Sequence, residues 1–132
     1  MSSRGVSALF WIAAAYDGLL GAIFFAVPSS MFTWFGVTPP NHYGYVRFPA
    51  LLLIVFAIMF AAVARNPTKN RNLIPYGIML KASYSGMVFG YWLSAGIPGM
   101  WKPFAFVDVI FGLLFYWAYR ALPATTRVQS SS

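Results

Sequence analysis

The chain has no cysteine and no glutamate, a single histidine, and two aspartates as its only acids in 132 residues. Without cysteine there can be no disulfide, thiolate metal ligand or thiol redox couple. With His42 as the one imidazole, an all-protein zinc or haem site has too few ligands, so no metal and no cofactor is expected. The sequence contains no HExxH, P-loop or dinucleotide fingerprint. It also pairs no serine with a histidine inside an apolar run, which removes the usual hydrolytic arrangement.

Charge is equally scarce. Charged residues make up 8% of the chain, hydrophobic residues 60% and aromatics 20%. A soluble domain carries about 25% charge, so this composition cannot build a water-facing surface. Mean hydropathy is +0.68, and the expected partner is the lipid bilayer. The net charge of +7 raises nucleic acid as a partner. The basic residues form no stripe, however, and sit in connections and chain ends, which excludes that reading.

Four apolar runs are present, at about 7–27, 46–64, 74–95 and 104–122. Each is close to the ~20 residues that cross ~30 Å of hydrocarbon as a helix. The predicted fold is therefore all-α, a four-transmembrane-helix bundle occupying 1–123 as one integral membrane domain. The small polar stretch 124–132 is predicted to be a disordered tail. Prolines punctuate the run boundaries, and Pro49 and Pro75 fall in expected first turns, where proline is tolerated. The first run is long for a signal peptide, holds Asp17 at its centre and lacks a small-x-small cleavage site, so it is read as a retained span.

With four spans, one side of the membrane carries Arg4, Arg65, Lys69, Arg71, Arg120 and Arg127, and the other carries only Arg47 and Lys102. The positive-inside rule then places both termini in the cytoplasm, with a bacterial inner membrane as the expected location. The longest connection, 28–45, contains Met31, Phe32, Trp34 and Phe35. Its apolar content predicts an interfacial or re-entrant segment in the first outer loop, with Ser29 or Ser30 as N-cap and Gly36 at its end. His42, Tyr43, Trp34 and Trp101 form either an aromatic belt at the outer edge or a vestibule over a pocket between helices.

Four charges fall inside the spans, and such residues usually face a bundle interior with a partner. From helix rise, Asp17 is expected roughly 15 Å deep and Lys81 roughly 10 Å deep from the same side. Arg47 and Asp108 both fall within roughly 8 Å of the opposite boundary. Depth therefore predicts two ion pairs, Asp17–Lys81 and Arg47–Asp108. Tyr84 and Ser85 project from the Lys81 side of the third span and complete a candidate intramembrane polar site. Ala14, Gly18 and Ala22 form one small-residue row and Gly86 and Gly90 another, as in helices that approach closely in lipid.

Four spans, cytoplasmic ends, and the sequence Asp108, Gly112 and Phe115-Tyr116-Trp117-Ala118-Tyr119 in the last span resemble the DoxX-like group of small bacterial membrane proteins. The resemblance lies in architecture. It implies a four-helix accessory subunit, alone, as a homo-oligomer or within a larger membrane complex.

Three functions remain open at this point. The first is a non-enzymatic accessory, assembly or lipid-facing component held together by buried ion pairs. The second is a small proton-coupled transporter using Asp17. The third is a membrane enzyme acting on a lipophilic substrate through Lys81, Asp17 or Asp108, in a pocket that Tyr84 and Tyr91 could line. No catalytic residue is assigned, and an open cavity beside Asp17, Lys81 and Tyr84 is the observation that separates them.

Overall fold

A computed structural model of the protein describes residues 1–123, so the stretch 124–132, read above as a disordered tail, lies outside the described residues. The described chain is helical, with five α-helices: α1 (Ser3–Ala26), α2 (Pro28–Trp34), α3 (Gly44–Arg65), α4 (Ile74–Leu93) and α5 (Lys102–Ala121). Short 3₁₀ turns, Arg71–Leu73 and Gly99–Trp101, lead into α4 and α5.

Local chemistry sets the boundaries. The Ser2 hydroxyl accepts a 3.0 Å hydrogen bond from the Gly5 N–H and caps α1, which satisfies one of the free donors at a helix start. Pro28, Pro75 and Pro103 stand in the first turns of α2, α4 and α5, where no backbone N–H is needed. Two expectations require correction here. The N-cap of α2 is Val27 rather than Ser29 or Ser30, because Pro28 already occupies the first helical position. Pro49 lies inside α3 past its first turn, because that helix starts at Gly44. Gly36 ends the α2 segment with φ of 64°, a left-handed conformation that glycine adopts without strain.

The molecule is apolar outside and charged within. Leu113, Ile58, Leu19 and Ile12 are each more than 60% exposed, whereas Asp17 and Lys81 are 1% exposed. Three helical segments are long and apolar enough to cross a membrane: Ser3–Ala26, Gly44–Arg65 and Gly99–Ala121. Helix α4 is 20 residues long but carries Lys81, three tyrosines and two serines, and it is not among these three segments.

The helices assemble as two close pairs, α1 with α3 and α4 with α5. Glycine permits the first contact. A Cβ on Gly21 would stand 2.6 Å from the Ala50 carbonyl oxygen, and one on Gly18 would stand 3.5 Å from the Ala57 Cβ. The Ser7 hydroxyl donates to the Ala64 carbonyl and fastens the same pair near its other end. In α4, Gly86 and Gly90 have nothing within 4 Å of a built Cβ, so this row faces outward and does not pack the bundle. Spacing alone does not fix the direction in which a small-residue row points.

Each end of the bundle has its own core. At the end holding the N-terminus, Phe10 stacks on Phe115 at 4.5 Å, and Phe60 lies 5.1 Å from Phe115 and 5.8 Å from Phe10. These rings, with Val6, Val63 and Ile74 around them, are fully buried. Arg71 ties the adjoining turn to α5, since its Nε donates to the Tyr119 carbonyl at 3.1 Å and its guanidinium lies 3.8 Å over the Tyr119 ring. At the opposite end, Phe24, Met31, Phe32, Ala50 and Met100 form a smaller core beneath α2.

Candidate functional site

Between these two cores lie three charged side chains. Lys81 Nζ donates to Asp17 Oδ1 at 2.8 Å and Oδ2 at 3.1 Å, and to Asp108 Oδ1 at 3.1 Å. One ammonium therefore serves two carboxylates from different helices, and the group carries a formal charge of −1. Three aromatic rings frame the ammonium, with Phe111, Tyr16 and Phe60 centroids 5.1, 5.5 and 5.8 Å from Nζ. Such faces favour a cation.

The arrangement follows from helix geometry. By helix rise, ~1.5 Å per residue, Asp17 and Asp108 sit at one level, roughly 20 Å from the ends of α1 and α5 at the Arg71 turn. Lys81 starts lower on α4 and reaches up to them. Gly112, one turn along α5 from Asp108, leaves room for its stem: a Cβ there would stand 3.6 Å from the Lys81 Cβ. Asp17 is thus deeper than a span starting at Ser7 implies, since α1 begins at Ser3.

The expected Arg47–Asp108 pair is not formed. Arg47 is exposed and donates through Nε to the Phe25 carbonyl at 3.0 Å, with its guanidinium 6.0 Å from the Phe25 ring. The last carbonyls of a helix lack intrahelical donors and carry the negative end of its dipole. Arg47 opens α3 beside the end of α1 and satisfies that need. Asp108 faces inward on α5 and meets Lys81 instead.

The remaining predicted residues divide. Tyr84 donates its hydroxyl to the Trp101 carbonyl at 2.8 Å, joining α4 to the turn before α5. Ser85 is buried, but its hydroxyl bonds the Lys81 carbonyl at 2.6 Å and does not join the charged group. His42 Nδ1 accepts from the Gly44 N–H at 2.9 Å and helps start α3. Tyr43 and Trp101 pack edge-on against Phe32, whereas Trp34 is 77% exposed and points away. The outer-loop residues thus do not form one vestibule.

A cavity of about 310 Å³ adjoins the charged group on the α2 side. Asp17 and Asp108 line its floor, and Lys81 is not among its lining residues. Its walls are Leu20 and Phe24 of α1, Tyr45, Val46, Pro49, Ala50, Leu52 and Leu53 of α3, Leu80 and Tyr84 of α4, and Trp101 and Phe104. Tyr45 is 71% and Leu52 41% exposed, so the cavity opens along α3. Its size is near the lower end of the ~300–1,000 Å³ typical of small-molecule sites, and its walls are almost wholly apolar.

Tyr45, expected in the outer aromatic belt, lines the cavity. Tyr16 was not singled out from sequence, and it places a buried hydroxyl without a hydrogen-bond partner among the described residues. The available signal for Tyr16 was its position next to Asp17. No group of three or more metal-ligating side chains occurs among the described residues. No protein-family model matches the chain, and no curated protein or solved structure does either.

Proposed function

We propose that the chain is a small four-span membrane protein that binds a lipophilic small molecule in the cavity above Asp17 and Asp108, as a non-enzymatic, lipid-facing component. The observation that carries this reading is an apolar chamber with two buried carboxylates at its floor. A purely structural ion pair needs no adjoining chamber, and well-packed interiors leave few voids larger than a water molecule. In the proposal α4 is the fourth span, with the charge of Lys81 matched internally by carboxylates. Both termini are cytoplasmic, since Arg4, Arg65, Lys69, Arg71 and Arg120 share one end of the bundle and Arg47 and Lys102 the other. The segment α2 would lie at the outer interface, in a bacterial inner membrane. Kinship with the DoxX-like group is proposed on this plan, and the outward Gly86–Gly90 row supports a homo-oligomer.

Photolabelling tests the binding reading. A small neutral alkyl diazirine, applied to the protein in lipid nanodiscs, is expected to mark Leu53 and Leu80, and Leu80→Trp should remove that labelling by filling the chamber. Labelling confined to outward residues such as Ile58 and Leu113 would refute it.

A second reading, proton-coupled transport, is favoured by the two carboxylates that share one ammonium. It predicts that Asp17→Asn abolishes transport in a folded protein. If the variant instead fails to fold, Asp17 is a structural anchor.

A further inference from the structure

We propose that the molecule held in this cavity is a protonated primary or secondary amine with an apolar body, whose N–H groups bind Asp108 while the body fills the chamber. The proposal rests on the binding reading above and adds the chemistry of the ligand's head.

At the charged end of the chamber the polar groups are acceptors, and the donors among its lining side chains, the hydroxyl of Tyr45 and the indole N–H of Trp101, belong to its walls. Tyr84 has already given its only proton to the Trp101 carbonyl, so it offers the cavity an acceptor alone. Pro49 has no N–H, so the Tyr45 carbonyl lacks its usual helical donor, and both residues line the cavity. Asp17 has both oxygens on Lys81. Asp108 is nine-tenths buried and gives one oxygen to Lys81. Its Oδ2 makes no hydrogen bond among the described residues, and Asp108 lines the cavity. An occupant that can only accept hydrogen bonds would give the free oxygen of Asp108 no donor, whereas an N–H head would.

Charge leads to the same class. Two carboxylates and one ammonium leave −1 in an apolar setting, and Lys81 lies behind the floor rather than in it. A single positive head brings the site to neutrality, whereas a carboxylate head would raise the charge to −2. Phe24, Trp101 and Phe104 add ring surface to the walls. A quaternary ammonium has the charge but no N–H to give Oδ2, so it should bind less well than a primary amine of the same chain.

Competition against the diazirine label separates these classes. Decylamine, decyltrimethylammonium, decanol and decanoate are compared at equal mole fraction in the nanodisc lipid. Decylamine is expected to halve the labelling of Leu53 and Leu80 at a concentration at least tenfold below decanol, with decyltrimethylammonium between them and decanoate weakest. Asp108→Asn should erase the gap between decylamine and decanol, and Ser83→Ala, on the exposed face of α4, should leave it intact. If the amine and the alcohol compete equally in the wild-type protein, the amine proposal is wrong and the binding reading stands. If no compound competes and the label does not enter, both fall. Because the wild-type comparison needs no variant, failure of Asp108→Asn to fold would not rescue the proposal.

Discussion

Lys81 and Gly112 are packed against each other across the α4–α5 contact, so that a Cβ on Gly112 would stand 3.6 Å from the Lys81 Cβ. This contact lets the lysine stem run along α5 to Asp108 one turn away, where Nζ meets Oδ1 at 3.1 Å. The small residue and the charged one act together: the glycine clears a path, and the lysine links α4 to α5 and, through Asp17, to α1.

Removing the lysine should therefore cost more than removing either acid. Lys81→Met leaves two buried carboxylates without a counter-charge, and breaking a buried pair in this way costs about 3–5 kcal/mol. Adding Asp17→Asn and Asp108→Asn to Lys81→Met should recover most of that loss. Thermal unfolding in detergent, followed by circular dichroism, checks both steps. An unchanged midpoint in Lys81→Met would show that the charged group holds nothing together.

The two acids should differ from each other. Asp17 is 1% exposed and binds Nζ through both oxygens, while Asp108 uses one. Asp17→Asn should lower the unfolding midpoint more than Asp108→Asn, by the equivalent of about 1 kcal/mol, the scale of one hydrogen bond. Equal effects would mean that the second Asp17 contact adds nothing.

Glycines of opposite surroundings give a third comparison. Gly21→Ala drives a methyl to 2.6 Å from the Ala50 carbonyl oxygen and must push α1 off α3, at about 1–3 kcal/mol. Gly86→Ala meets nothing within 4 Å and should be neutral or slightly stabilising in the monomer, since alanine is the better helix former by up to ~1 kcal/mol. The same unfolding measurement reads both. A loss of stability at Gly86 that depends on protein concentration would instead reveal a partner helix on that face.

Tyr84→Phe removes the link between α4 and the Trp101 carbonyl. The expected loss is about 1 kcal/mol, the net worth of one hydrogen bond. Hydrogen exchange at the 99–101 turn should rise if the link holds the turn in place.

The apolar runs made the long helices legible, because about 20 consecutive, mostly apolar residues read as a helix of span length. The meeting of Asp17 with Lys81 was also legible, from depth along two helices that start on the same side. Asp108 was not, for a reason of reach. Its level matched that of Arg47, but Arg47 had a nearer acceptor in the Phe25 carbonyl at the end of α1. The lysine, in turn, could climb a full turn past Gly112. Which helices neighbour each other, and which way a glycine row points, depends on contacts between runs that no single run encodes. The cavity belongs to the same class, since it is built from four elements at once.

The buried rings of Phe10, Phe60 and Phe115 fill the interior on the far side of the charged group from the chamber. On the proposed binding reading, a molecule that enters beside Tyr45 meets the two carboxylates and, behind them, these fully buried rings. Passage across the bilayer through one copy would require these three rings to part. Retention of a molecule, or its hand-over at the end where the chamber lies, requires no such movement.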